Sequence, residues 1–348
     1  MQRLPLIQAF MYKRENNLDL KIDMLNIFKT PKTLQKIAVS ALIMGALLMS
    51  MDYSKFNGSL GRIHIDSWFF ALGFIYFQIL ALSYRWLKLI NVYEKKIDFA
   101  YAIKVNLMSL VANYLFITSI GGIIVRVAMS VNVGVSLIRS IAATALDRFF
   151  TILGLLLLAI IFLPILNVIV SPDLFQSTLF LIASMLGSSV VFSLFLFETP
   201  RKKIIFSHRK IAMCFQYLRK VITDGQVIGG VVTASLVGQL AYFAAVYTIM
   251  VSMGINFSML HFLAVIPVIA LVASLPIGYG GWGIREGAFV YGLGFIDVPF
   301  ETAFATSIQI GIISMGGAII AGIPILIRSR SKYNFLRAQS DDDQHTDT

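Results

Sequence analysis

Two arginines stand at the same distance behind a pair of glycines. One copy is Gly121-Gly122 followed by Arg126; the other is Gly280-Gly281 followed by Arg285. Both lie inside long apolar stretches, where a paired glycine and a cation are unwelcome unless they form a site. Glycine lets a backbone approach a ligand or another backbone closely. A glycine turn that opens a helix leaves backbone N–H groups unpaired, and those donors with the helix dipole favour an anion, commonly phosphate. A guanidinium in the first turn of that helix grips the same anion bidentately. Arg285 is expected in such a turn, with Arg126 in the same relation to its own glycines. The two motifs together read as a substrate-binding site for an anionic headgroup near the middle of a bilayer. Its residues would be Gly121, Gly122, Arg126, Gly280, Gly281, Gly283, Arg285 and Glu286.

A plainer reading competes with this one. Glycines in membrane helices serve close packing, and Gly283 and Gly287 form a GxxxG pair. Arg285 would then pair with Glu286 or reach to the membrane surface. Two copies with identical spacing favour a site, because charge inside a membrane is costly and is usually functional. Asp147-Arg148 is the other candidate for buried charge, either as an ion pair between helices or as part of the pocket. Asn106 and Asn113 share one helix face leading into the first motif. They line a polar cavity or bond between helices, and Gln239 has the same two readings.

The surrounding elements must be membrane helices. The chain of 348 residues is 57% hydrophobic and 14% charged, with mean hydropathy +0.80. Uncharged runs cover Phe149 to Pro172, Leu174 to Phe197, Gly225 to Leu260 and Thr302 to Ile327. Each meets the roughly 20 residues that a spanning helix needs. The net charge of +11 does not point to nucleic acid, because the basic residues fill the gaps between spans, as the positive-inside rule requires. No cleavable leader is apparent: the first apolar run begins near Ile37, behind a basic polar segment. The single cysteine, Cys214, permits no internal disulfide.

Charge placement sets the expected topology. Residues 1–35 are a cytoplasmic leader and residues 328–348 a cytoplasmic, disordered tail. Between them lies a transmembrane domain, 36–327, with its repeated motifs near 113–135 and 273–295. Full spans are expected at about 36–51, 67–90, 141–163, 176–197, 226–253 and 302–327. Asp52 and Asp66 fall on an outer loop. Arg85 and Lys88 lie at the inner face with Trp86 as an interfacial anchor, and Arg201 to Lys220 form the most basic inner loop. Residues 101–139 and 260–296 are each too short for two crossings and read as re-entrant helix pairs. The fold class is thus all-α: a polytopic bundle of about six full spans plus two re-entrant pairs, arranged as an inverted repeat.

Catalytic signatures are missing. The chain carries no HExxH, no cysteine–histidine cluster, no GxxxxGK and no GxSxG, so no metal and no cofactor are expected. Asp52, Asp66 and Asp147 are the acids that a membrane transferase acting on a lipid carrier would need.

Three segments carry a family resemblance. They are Arg85-Trp86, the stretch from Gly121-Gly122 through Arg126 to Asp147-Arg148, and Leu275-Pro276 through Gly280-Gly281-Trp282-Gly283-Ile284-Arg285-Glu286. Over about 36–327 the chain resembles the flippase-like family typified by the transmembrane region of lysylphosphatidylglycerol synthases. The resemblance implies two re-entrant repeats and movement of a modified phospholipid between leaflets. The chain departs from that pattern at Thr118, Ser119 and Ile123, where family members often carry a proline and an acid. No soluble aminoacyl-transferase domain follows Ile327, so the stand-alone members are the nearer likeness. The expected function is translocation of a phospholipid or lipid-linked anionic intermediate in the cytoplasmic membrane. The alternatives are a glycosyl or aminoacyl transferase and a non-transporting partner of a cell-envelope biosynthesis enzyme.

Overall fold

A computed structural model describes residues 31–61, 64–93, 96–115, 119–198, 209–275 and 282–345. Among them there are thirteen helices and no strand. That follows from the apolar runs: a chain in lipid must satisfy every backbone N–H and C=O internally, and a helix does so within one segment. Helices α1 (Pro31–Met49), α2 (Tyr53–Gly61) and α3 (Ile65–Ile90) open the chain. A hairpin of α4 (Phe99–Leu115) and α5 (Ser119–Asn132) follows, then α6 (Leu137–Ile161), α7 (Leu163–Ile169), α8 (Pro172–Glu198) and α9 (Arg209–Thr223). The rest is α10 (Gly225–Ser252), α11 (Met259–Ala273), α12 (Ile284–Gly294) and α13 (Phe300–His345).

Among the described residues, four helices are long and apolar enough to cross a bilayer: α3, α6, α10 and the first 26 residues of α13. The protein is therefore a multi-pass helical membrane protein. The first expected span is different. Helix α1 ends at Met49 and the chain bends by 90° into α2, where the sequence reading places an outer loop. Asp52 makes the bend, its carboxylate accepting the N–H groups of Ser54 and Lys55 at 3.0 and 3.3 Å as a helix N-cap does.

Packing corrects two further expectations. Trp86 is not an interfacial anchor: it and Arg85 are each 1% exposed. The buried positions Ala71, Ile75, Ile79, Arg85, Trp86, Leu89 and Ile90 lie on one stripe of α3, the face that meets α10. Gly238 of α10 lies under Leu82, where an added Cβ would come within 3.0 Å, so small residues set this close crossing. Nor is the end of the basic loop irregular. It folds as α9, which buries Tyr217, Leu218 and Val221 and donates the Tyr217 hydroxyl to the Leu89 carbonyl. Helix α13 continues to His345, beyond its apolar part and into the tail read as disordered; residues 326–345 contain no Gly or Pro to stop it.

Both expected short pairs are present. At 1.5 Å per residue, α4 and α5 are roughly 25 and 21 Å long, and α11 and α12 roughly 22 and 17 Å, all short of a hydrocarbon core about 30 Å thick. The α4–α5 hairpin is antiparallel. Tyr101 donates to the Met129 carbonyl, Arg126 reaches Asn106, and Asn113 meets Gly122, so one helix ascends as the other descends.

Candidate functional site

The two glycine–arginine motifs fold differently. In the first, α5 begins at Ser119, so Gly121 and Gly122 belong to its opening turn and Arg126 lies two turns inside the helix. The Gly122 N–H, one of the orphan donors of a helix start, is accepted by the Asn113 side chain at 2.7 Å. A Cβ on Gly122 would lie 2.5 Å from that oxygen and 2.7 Å from the Ser109 carbonyl, so the glycine is required by the approach of α4. This donor faces a side chain of the same hairpin, contrary to the expectation of a free anion-binding turn. Both asparagines singled out on α4 bond between helices.

Arg126 itself is nearly buried, at 8% exposure, and joins a network the sequence did not reveal. Its Nη1 donates to Asp147 Oδ2 at 2.5 Å and its Nη2 to Asn106 Oδ1 at 2.5 Å. The second carboxylate oxygen of Asp147 accepts Arg85 Nε at 2.8 Å. Arg85 also donates to the hydroxyls of Thr151 (2.8 Å) and Ser235 (3.2 Å), and Asn106 donates to Ser83 Oγ at 3.0 Å. Helices α3, α4, α5, α6 and α10 thus meet around one aspartate, which is 3% exposed. Two guanidiniums face that single carboxylate, leaving one formal positive charge in the interior. Next to Asp147, Arg148 lies exposed on α6.

In the second motif the helix starts later. Gly280 and Gly281 lie outside the described residues. Gly283 has φ +83°, a backbone that other residues rarely adopt, and ends the preceding turn; α12 begins at Ile284. Arg285 is accordingly in the first helical turn, as expected, but its guanidinium is occupied. Nε and Nη2 donate to Glu286 Oε1 at 2.9 and 2.6 Å, Nε also reaches Ser307 Oγ at 3.3 Å, and the Trp282 ring lies 4.7 Å from the guanidinium carbon. Glu286 is fully buried and spends its other oxygen on the Gly283 N–H at 2.7 Å, the half of a capping box that a glycine N-cap permits. Gly311, one turn beyond Ser307 on α13, leaves the room that the guanidinium fills: a Cβ there would sit 2.5 Å from Nη2. Its formal charge balances.

The acids proposed for transferase chemistry are placed apart from this arrangement or consumed by it. Asp52 is exposed and caps α2; the Lys55 amide, followed by the Ser54 amide and the Lys55 ammonium, holds its carboxyl below the ordinary value. Asp66 lies in the first turn of α3, and Asp147 has both oxygens on arginines. Among the described residues no three His, Cys, Asp or Glu side chains are grouped to hold a metal. Arg85 is the residue that sequence reasoning placed wrongly. Its place on the buried stripe of α3 shows only in the structure; in the sequence the neighbouring Lys88 and Lys95 make it look interfacial.

The family model described as the lysylphosphatidylglycerol synthase TM region matches residues 34–322. No curated protein matches the chain. The matched segment is most of the chain and includes both hairpins and every charged group described above, so the protein belongs to the family of the lysylphosphatidylglycerol synthase TM region.

Proposed function

We propose that the protein moves a phospholipid, or a lipid-linked anionic intermediate, between the leaflets of the cytoplasmic membrane. The observation that carries this reading is the uncompensated positive charge of the Arg85–Asp147–Arg126 cluster. Two buried arginines on one carboxylate leave a site that is electrostatically incomplete, and a passing phosphate completes it. Arg126 is the headgroup ligand at the edge of the cluster; Arg85 and Asn106 hold it there through Asp147 and directly. The acyl tails remain in lipid. Arg285 joins the path only when Glu286 releases it. The two short hairpins enter from opposite faces as halves of an inverted repeat, with both chain termini cytoplasmic.

The test is a scrambling assay in proteoliposomes with fluorescent phosphatidylglycerol. Arg126→Gln keeps hydrogen-bonding capacity toward Asp147 and Asn106 but removes the charge. It is expected to slow transport about tenfold or more while the protein inserts and purifies as the wild type does. Transport at the wild-type rate by a well-folded Arg126→Gln protein rejects the reading.

A further inference from the structure

Arg148 has no ordinary explanation. It sits in the middle of the 25-residue α6, 11 residues from one end and 13 from the other. Those offsets are roughly 16 and 20 Å, well beyond the reach of a side chain seeking either interface. It is exposed, on the same stripe of α6 as exposed Ile141 and Ala145. That stripe is left uncovered by protein, although protein crowds around the arginine closely enough to desolvate it. Among the described residues Arg148 makes no hydrogen bond and no ion pair, although Arg126, Asp147 and Arg85 are within electrostatic reach. A cation held at this depth without a partner is expensive and calls for a counter-ion. Asp147 cannot supply it, since both its oxygens are taken.

Counting Arg148 with its neighbours, three arginines face one carboxylate, leaving two formal positive charges at mid-membrane. One lies inside the bundle and one at its uncovered edge. We infer that this edge is a lateral doorway selective for lipids whose phosphate carries two negative charges, a phosphomonoester or a diphosphate, with Arg148 as the outer contact and Arg126 as the inner one. The inference rests on the transport reading and narrows its substrate class. A phosphodiester headgroup brings one charge and leaves one arginine unmatched. A phosphomonoester brings close to two near neutral pH. The Arg285 site, with its charges balanced, offers no such preference.

The probes are dioleoyl phosphatidic acid and dioleoyl phosphatidylmethanol, which share tails and differ by one methyl group and one ionisable oxygen. Binding to the full chain in mild detergent is read by native mass spectrometry at pH 8. The wild type is expected to retain the phosphatidic acid about tenfold better, as a charge-assisted contact in a partly dry site would give. Arg148→Gln should remove most of that preference, whereas Arg148→Lys should keep it, which separates charge from fold. Equal retention of the two lipids by the wild type, or an undiminished preference in Arg148→Gln, overturns the inference. So does displacement of the lipid by millimolar inorganic phosphate, because the ligand would then be an aqueous anion. Transport of phosphatidylglycerol with no charge preference would sink this inference alone. A charge preference without any transport would sink the transport reading alone.

Discussion

The two arginine sites share a sequence spacing and little else. Around Arg126 the charges come from three helices and do not balance: Asp147 is outnumbered by Arg85 and Arg126, with Arg148 beside it. Around Arg285 the charges come from adjacent residues and cancel, and Trp282, Ser307 and the gap at Gly311 close over the guanidinium. The divergence begins at one position. Two residues beyond the glycine pair stands Ile124 in the first copy and Gly283 in the second. Ile124 continues a helix that has already started. Gly283, at φ +83°, breaks the turn and restarts it. The same offset therefore puts Arg126 at the eighth residue of α5 and Arg285 at the second of α12. A repeated motif can thus be a repeated spacing without a repeated site, and the copy left with unbalanced charge is the one proposed to take a ligand.

The largest effect should come from removing the acids, and the two sites should respond unequally. Asp147→Ala strands two buried arginines across helix interfaces, at a cost of about 3–5 kcal/mol by the usual consequence of breaking a buried pair. Glu286→Ala strands one arginine that keeps Trp282 and Ser307, and should cost less. Thermal unfolding in detergent, followed by intrinsic fluorescence, ranks the pair. If Glu286→Ala is the more damaging, the first site is not the one under electrostatic stress.

The next effect is backbone strain. Gly283→Ala places a Cβ at positive φ and 2.9 Å from the Ser40 carbonyl of α1. About 1–3 kcal/mol of destabilisation is expected, with the contact between α1 and α12 loosened. Unchanged thermal stability would mean that α1 yields freely and that the restart at Gly283 is not enforced.

Much of this architecture was legible in the sequence because lipid enforces it. Uncharged runs became helices, and each of the two intervals too short for a pair of crossings became two short helices. Of the two readings open for Asn106 and Asn113, seven residues apart on α4, bonding between helices is the one observed. What escaped was set by tertiary packing. Arg85 follows the burial stripe of α3 yet stands among lysines, and nothing local distinguishes a basic residue at an interface from one drawn into the bundle by Asp147, 62 residues away. Helix α9 was hidden by its own charge, since seven basic residues from Arg201 to Lys220 mask the apolar face of Tyr217, Leu218 and Val221. Gly311 gave no sign of its role, because the room it leaves matters only once Arg285 arrives from another helix.

The smallest expected effect is also the sharpest comparison. Ile124→Gly gives the first motif the glycine that the second has. If that residue decides where the helix starts, flexibility should appear in the opening turn of α5, seen as faster amide exchange over residues 119–124. Arg126 should keep its place, because Asp147 and Asn106 hold it from two other helices. The cost should be about 1 kcal/mol, that of a glycine in a helix, since Ile124 is exposed and little packing is lost. Lipid binding should be unchanged. A collapse of binding in Ile124→Gly would mean that the start of α5, and not the network around Asp147, positions Arg126, and the two motifs would then be more alike than their geometry suggests.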